Sequence, residues 1–393
     1  MRICIVYDCL YPCTVGGAER WARNLAERLA ADGHEVTYLT LRQWDRGEPP
    51  ELDRNVRVVT VGPRMALYTG RRRRILPPLL FGLGVLFHLA RRRRAYDIVH
   101  LSAWPFFAPL AARIALLGTS TPIGIDWHEV WSRSYWQEYL GRAGGVVGYA
   151  VQLLCVRVPQ RAFCFSRLHA GRLRQEGLRG EATVLEGEYA GSLATPSVAA
   201  PEPLVVFAGR LIPEKRAPLA VMAFALAASR IEGLHGEFYG DGPEREALLR
   251  AIEEQGAGDI AIAPGFVEAS RIDAALRRAL CMLSTSRREG YGMVVVEAAA
   301  RGTPSIVVAG EDNAATELIE EGVNGLVAQS SDPAEIADAI VRVHQAGMAL
   351  RESTVAWFAV NAQRLSIESS LHTVLESYRN SDRDSPLGAG ARV

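Results

Sequence analysis

Glu289 and Glu297 flank Gly290-Tyr291-Gly292 and the first turn of an apolar run in SRREGYGMVVVEAAARGTP, residues 286–304. The run from Met293 to about Arg301 reads as a helix, with Glu289 ahead of it and Glu297 about one turn inside. The two carboxylates therefore address different parts of one ligand rather than forming a tight dyad. A carboxylate can accept hydrogen bonds from both hydroxyls of a vicinal diol, such as a ribose or a hexose carries. The glycines let the backbone approach a ligand, and the first-turn amides have no acceptor inside the helix. Read singly, the same residues are a helix cap and a solvated acid. Against that, MVVVEAAA offers Glu297 no obvious exposed face, and a buried acid needs a partner.

A second chemical signal is FAGRLIPEKRAP, residues 207–218, which holds the one lysine among 44 basic side chains. A guanidinium is a broad planar fork, whereas the Lys215 ammonium is a compact point charge on a flexible stem, suited to a crowded phosphate. The alternative is a surface lysine left by chance in an arginine-biased composition.

Short β-branched runs alternating with amphipathic helical stretches must position these groups, the pattern of parallel sheets covered by helices. The strands expected in the first half are Arg2–Asp8, Glu35–Leu41, Val56–Gly62, Asp97–Ser102, Pro122–Trp127, Arg161–Ser166 and Thr183–Glu188. GSLATPSVAAPEP, residues 191–203, is small, Pro-rich and aperiodic, and reads as a linker. After it come Leu204–Gly209, Gly236–Gly240, Ile260–Pro264, Cys281–Ser286, Ser305–Ala309 and Gly325–Ala328. The expectation is two doubly wound Rossmann-like α/β domains, 1–190 and 204–347, facing each other across a cleft. A helical segment, 348–379, would cross back toward the first domain, and a disordered tail, 380–393, would follow. Such a pair of domains places a ligand between strand C-termini, where an anion meets the positive ends of helices.

With 393 residues, 49% hydrophobic, the chain can bury a large core. Its net charge is zero, yet residues 1–190 carry 26 basic and 17 acidic side chains, leaving 18 and 27 for the remainder. A basic half suggests an anionic partner or a membrane surface. Nucleic acid is not expected, because no recognised motif or basic stripe interleaved with aromatics is present. The six cysteines include no Cys-x-x-Cys pair, so they read as reduced core residues of a cytoplasmic protein; Cys9 and Cys13 lack the second pair a metal site needs. Met1 leads directly into RICIVYD, a strand rather than a signal peptide, and export is not expected. One membrane candidate stands out: Ile75 to Ala90, between the arginine runs 71–74 and 91–94. At 16 residues it is shorter than the roughly 20 needed to span a bilayer. It is either a buried crossover helix or a helix lying on anionic lipid, so peripheral membrane contact through 71–94 stays open.

Taken in order, GGAERWARNLAERLAADGHEVTYLT, YDIVHLS, FAGRLIPEK, YGDGPEREAL, EGYGMVVVEAAARGTP and GVNGLVA resemble the retaining nucleotide-sugar glycosyltransferases of the GT-B class known as glycosyltransferase family 4. The resemblance covers nearly the whole chain. It implies that Glu289 and Glu297 form the E-x7-E motif of that family. Glu289 and the amides of Gly290, Tyr291, Gly292 and Met293 would then sit near the donor sugar and phosphates, and Glu297 would bind ribose hydroxyls. It also implies that Arg210 and Lys215 clamp the donor diphosphate, where fixed cations stabilise the charge that builds as the sugar–phosphate bond breaks. A lysine and a helix N-terminus can do this without a metal. The one Asp-x-Asp, Asp382-Arg383-Asp384, lies in the expected tail, so no metal or other cofactor is expected.

Further matches implied by the resemblance are the loop Gly16-Gly17, near donor phosphate and acceptor; His128 of GIDWHEVW, near the transferred sugar; and Gly242 and Phe266, lining the nucleotide pocket. As residues alone, a lone histidine at a strand end and glycine turns have purely structural readings. Trp104, Trp131 and Trp136 offer flat faces for an acceptor, or are ordinary core. The hinge departs from the family, with EGEY at 186–189 where Asn-Gly-Val-Asp is common. The implied activity is transfer of a sugar from a nucleoside diphosphate to an acceptor hydroxyl of a small molecule, saccharide or lipid-linked sugar. A non-catalytic nucleotide- or sugar-binding protein, or a phosphorylase or epimerase on the same architecture, are the alternatives.

Overall fold

The computed structural model describes residues 1–14, 16–45, 47, 51–52, 55–69 and 72–384. The chain divides into two compact units: Met1–Leu185 with the segment from Ser369 on, and Glu186–Glu368.

In the first unit the strands are β1 (Arg2–Val6), β2 (Glu35–Thr40), β3 (Val56–Thr60), a short antiparallel hairpin of β4 (Tyr68–Thr69) and β5 (Arg72–Arg73), then β6 (Ile98–Ser102), β7 (Ile123–Trp127), β8 (Arg161–Cys164) and β9 (Ala182–Val184). Apart from the hairpin they form one parallel sheet, ordered β3-β2-β1-β6-β7-β8-β9. The helices are α1 (Gly17–Ala31), α2 (Leu76–Arg91), α3 (Phe107–Ala115), α4 (Arg133–Val156) and α5 (Arg167–Gln175). Parallel strands covered on both faces are largely apolar, and β6 and β7 are buried at every position, the polar His100, Ser102 and Asp126 included.

The second unit repeats the plan. Its sheet holds β10 (Leu204–Ala208), β11 (His235–Tyr239), β12 (Ala261–Gly265), β13 (Cys281–Ser284), β15 (Ser305–Val308) and β17 (Gly325–Ala328), ordered β12-β11-β10-β13-β15-β17 and parallel throughout. A separate two-stranded piece pairs β14 (Arg288–Glu289) with β16 (Asp312–Asn313). The helices are α6 (Ala217–Ala228), α7 (Arg245–Glu254), α8 (Ala269–Arg278), α9 (Met293–Ala299) and α10 (Pro333–Leu365), and α11 (Ile367–Asp384) begins here. In both sheets the order runs third, second, first, fourth, so the chain reverses direction between the first and fourth strands. A crevice opens outside the strand C-termini at that reversal.

Each strand expected from the sequence is present. Most stop a residue or two early, and Ala182–Val184 ends well short of Glu188. Three expectations are corrected. The division between units falls after Leu185 rather than at 191–203, because 186–190 are stitched to the second unit. Tyr189 N donates to Leu365 O at 3.0 Å, Ile367 N donates to Tyr189 O at 2.9 Å, and a Cβ on Gly187 would lie 2.0 Å from Ser366 O. Residues 191–203 are irregular, as their composition requires, but belong to the second unit. The segment 348–379 likewise splits. α10 breaks at Gly347 (φ 52°), its continuation buries Trp357 and Phe358 in the second unit, and only the chain from Ser369 on joins the first. There Tyr378 hydroxyl meets His100 Nδ1 and Arg161 donates to Ser377 O. α11 runs to Asp384, so the Asp382–Asp384 stretch is helical and not part of a disordered tail; 385–393 lie outside the described residues.

α4 is a second helix the sequence reading passed over. Its 24 residues have the length and apolarity of a membrane-crossing helix, yet it is the crossover between β7 and β8, kinked at Gly141 (φ 77°). Of the six cysteines all are free thiols, and only Cys13 is exposed.

Candidate active site

The second unit concentrates its polar chemistry at the reversal point. β10 delivers Gly209 and Arg210, a single 3₁₀ turn (Pro213–Lys215) follows, and α6 starts after Arg216. Arg216 has φ 50°, the one positive φ of a non-glycine among the described residues. Such a strained backbone persists only where its surroundings hold it. The restraint comes from the neighbouring strand: Thr285 Oγ1 donates to Lys215 O and Arg216 O at 2.9 and 3.0 Å, and Arg287 N donates to Glu214 O at 2.8 Å. Thr285 and Ser286 therefore leave the β13 ladder to tie the two loops together.

Held this way, Lys215 Nζ forms an ion pair with Glu289 Oε1, although 74 positions separate them. Ser286 Oγ donates to the same carboxylate oxygen at 2.8 Å. The two side chains keep 21% and 13% of their surface, so the pair is screened from solvent without being sealed. Arg210 is exposed and has no ion-pair partner among the described residues.

Glu289 owes its position to β14, which pairs with β16 through Arg288–Asp312 and Glu289–Asn313. Asn313 is buried and donates to Ser286 O at 3.0 Å and Val308 O at 2.8 Å, while its Oδ1 accepts from Ala315 N at 3.1 Å. Gly292 then turns the chain into α9 with φ 110°, and a Cβ there would lie 2.7 Å from Ala315 Cβ. Tyr291 is buried and donates to Glu186 O at 2.7 Å; burial pushes its phenol pKa upward. On α9, Met293 and Glu297 share the partly exposed stripe and lie one turn apart, about 6 Å along the axis. Glu297 thus does have an open face, contrary to what MVVVEAAA suggests.

The loop after β11 presses on the Arg210 loop. Leu211 N donates to Asp241 O and Glu244 N to Leu211 O, both at 2.8 Å. Gly240 makes this possible, since a Cβ there would lie 1.8 Å from Gly209 O. Gly242 packs against Leu211 O in the same way. Phe266, following β12, is 67% exposed, an aromatic face turned to solvent.

In the first unit, Gly16 precedes α1 and Gly17 opens it. His128 stacks on Phe165 with ring centroids 4.6 Å apart and 5° between planes. Burial pushes its pKa down to about 4, partly opposed by the charge of Asp126. Beneath it, Asp126 Oδ2 accepts from Trp21 Nε1 at 2.7 Å and lies 2.7 Å from His100 Nε2. Of the three tryptophans expected to face an acceptor, Trp131 and Trp136 are only 8% and 3% exposed. They pack on each other with centroids 4.7 Å apart, and both are tied to Gln152 Oε1, through Trp131 N and Trp136 Nε1. That expectation is corrected: the two rings are core, and Trp104, half-buried at the end of β6, alone keeps an accessible face.

Residues 15–185 match the family described as "Glycosyltransferase Family 4", and residues 195–355 match that described as "Glycosyl transferases group 1". The two stretches together take in most of the chain. It belongs to glycosyltransferase family 4. Curated relatives include D-inositol 3-phosphate glycosyltransferase of Acidothermus cellulolyticus, 30% identical over 199 residues, 48% of this chain and 44% of that protein. Alpha-D-kanosaminyltransferase of Streptomyces kanamyceticus is 30% identical over 141 residues, 36% of each chain. The chain thus spans under half the length of these relatives. Among solved structures, sucrose-phosphate synthase from Thermosynechococcus elongatus superposes with a TM-score of 0.80 at 19% identity, covering 98% of this chain and 100% of the other. Anabaena HepE in complex with UDP and glucose gives 0.71 at 19% identity, covering 96% and 99%. The fold is GT-B, two Rossmann-like units.

Within the second unit, Lys215 and Glu289 meet directly, and Arg210, Gly242, Gly290, Tyr291, Gly292, Met293 and Glu297 all stand on loops or on α9 beyond the strands of its sheet. Gly16, Gly17 and His128 belong to the first unit. The sequence reading missed Thr285, Ser286 and Asn313. The hydroxyls had a weak signal as polar residues closing the apolar strand CMLS, and Asn313 had one as a helix-capping type two residues before the amide it caps.

Proposed function

We propose that this glycosyltransferase moves a sugar from a nucleoside diphosphate to an acceptor hydroxyl with retention of anomeric configuration and without a metal ion. The reading rests on one observation: the chain's single lysine is paired with Glu289 at the sheet reversal of the second unit. A diphosphate arriving there would compete with Glu289 for the Lys215 ammonium. The released carboxylate would turn to the sugar hydroxyls, so one pair would serve both halves of the donor. Arg210, already exposed, and the first-turn amides of α9 would add positive potential.

In the transfer step the bond from the anomeric carbon to the diphosphate oxygen breaks and that oxygen leaves with the electron pair. The acceptor oxygen forms the new bond on the same face and passes its proton to the departing diphosphate. Lys215 and Arg210 would stabilise the charge developing on the leaving group, a kind of contribution that is often the largest single one. Glu297 would hold ribose hydroxyls, and Phe266 offers a face for a base. His128, neutral near pH 7, would contribute a hydrogen bond near the sugar rather than a charge. Trp104 would border the acceptor, a small molecule, a saccharide or a lipid-linked sugar. A nucleotide-sugar donor is supported by the HepE complexes with UDP and glucose, and a sugar-alcohol acceptor by the D-inositol 3-phosphate relatives.

Incubation with UDP- and GDP-sugars, with and without candidate acceptors and in the presence of chelator, tests this. Acceptor-dependent release of nucleoside diphosphate, an α-linked product from an α-linked donor and insensitivity to chelator are expected. An inverted product, or activity lost with chelator and restored by divalent ions, would overturn the corresponding part.

A further inference from the structure

We propose that the face formed by α2 and the end of α3 in the first unit docks on the surface of an anionic lipid bilayer. The inference is independent of the transfer chemistry. α2 is apolar on all sides. One side, Phe81, Gly82, Val85 and Leu89, is buried, with Gly82 pressed against Phe107 of α3. The other side should be polar in a helix that faces water. Instead Leu76, Leu79, Leu83 and Phe87, spaced by three and four residues, line one stripe and are between 39% and 56% exposed. Ile114 and Leu117, at the end of the adjoining α3, are 57% and 50% exposed, and the Arg93 guanidinium just beyond α2 donates to Leu117 O, so this end of α3 lies beside the C-terminal end of α2. Exposed apolar side chains gathered in this way mark an interaction surface.

Charge selects the occupant. From Arg74 to Gly118 the sequence holds six arginines and one carboxylate, Asp97, whose oxygen is already 2.7 Å from Arg2 Nη2. Arg91, Arg92, Arg93 and Arg94 are all exposed at the C-terminal end of the stripe, and the Arg91 guanidinium lies 5.7 Å from the Phe87 ring centroid. An apolar stripe bordered by arginines without acids matches an acyl layer beneath anionic headgroups. A second copy of this chain is disfavoured, because a two-fold contact would set the arginines of one face against those of the other. At 16 residues α2 is about 24 Å long, short of the roughly 30 Å hydrocarbon core, so it lies along the surface.

The test is co-sedimentation of the full chain with phosphatidylcholine vesicles, with and without phosphatidylglycerol, at low and high salt. Binding is expected only with phosphatidylglycerol, weakened by salt. Arg92→Gln with Arg94→Gln should weaken it by roughly fivefold per arginine, and Leu83→Gln with Phe87→Gln should abolish it. All four positions are exposed, and unchanged thermal unfolding verifies that the variants fold. No binding to phosphatidylglycerol vesicles at low salt would overturn the proposal, as would equal binding by both double variants. So would a wild-type dimer in light scattering that Leu83→Gln with Phe87→Gln renders monomeric. Turnover of a soluble donor and acceptor should be the same in all these proteins, so loss of lipid binding is distinguishable from failure of the proposed transfer activity.

Discussion

The two units share one strand order and differ in what their loops do at the point where that order reverses. In the second, Thr285, Ser286 and Asn313 spend their hydrogen bonds fixing two loops so that a lysine and a glutamate meet beneath partial solvent cover. In the first, the polar residues near the corresponding position turn inward. Asp126 Oδ2, His100, Trp21 and Tyr378 bond to one another in the interior, with the buried Asp126 Oδ1 left without a partner among the described residues, and His128 is stacked flat on Phe165. The same backbone plan thus gives a partly exposed ion pair in one unit and a largely buried polar cluster in the other. Topology fixes where a site can form; the loop side chains decide whether one does.

The sharpest way to break this contrast is to remove the charge from the second unit. Lys215→Ala should lower kcat/KM by about 10²–10³, the scale for losing one group that stabilises transition-state charge. The midpoint of thermal unfolding should barely move, since partly exposed ion pairs contribute about 1 kcal/mol or less. Initial rates of diphosphate release alongside thermal melts measure both, and near-normal turnover would remove the second unit's claim to the site. Next in size, Asn313→Ala strips the donor from two carbonyls and the acceptor from one amide, all buried. A loss of roughly 3 kcal/mol in denaturant unfolding is expected, with a raised KM for donor as β14 loosens its hold on Glu289.

For the first unit, Tyr378→Phe deletes the hydroxyl that meets His100 and should lower stability by about 1 kcal/mol while sparing turnover. A large fall in kcat with intact folding would mean that the interior polar chain takes part in the reaction. The last effect is confined to acid pH. The folded state holds His128 near pKa 4, against about 6.5 when unfolded. Its neutral form therefore favours folding above about pH 6.5, and that contribution fades as pH falls from there toward 4. His128→Phe should flatten this part of the stability–pH curve, and an unchanged acid slope in denaturant titrations would sink the attribution.

Much of this was legible in the chain itself. A buried parallel strand is a short apolar run bounded by turn residues, so every main strand of both sheets could be read, as could the glycine-rich turn into α9. The pairing of Lys215 with Glu289 could not, because nothing local to either residue refers to a partner 74 positions away. Two-residue strands such as β14 and β16 carry no periodicity and form only because Asn313 and the surrounding loops hold them. Burial of Trp131 and Trp136 around Gln152, the partial exposure of Glu297 and the bare outer stripe of α2 were equally hidden. Periodicity and composition tell which residues must leave water and roughly in what element. Which neighbour covers each side chain depends on long-range packing, and that is settled only when the sheets and helices close.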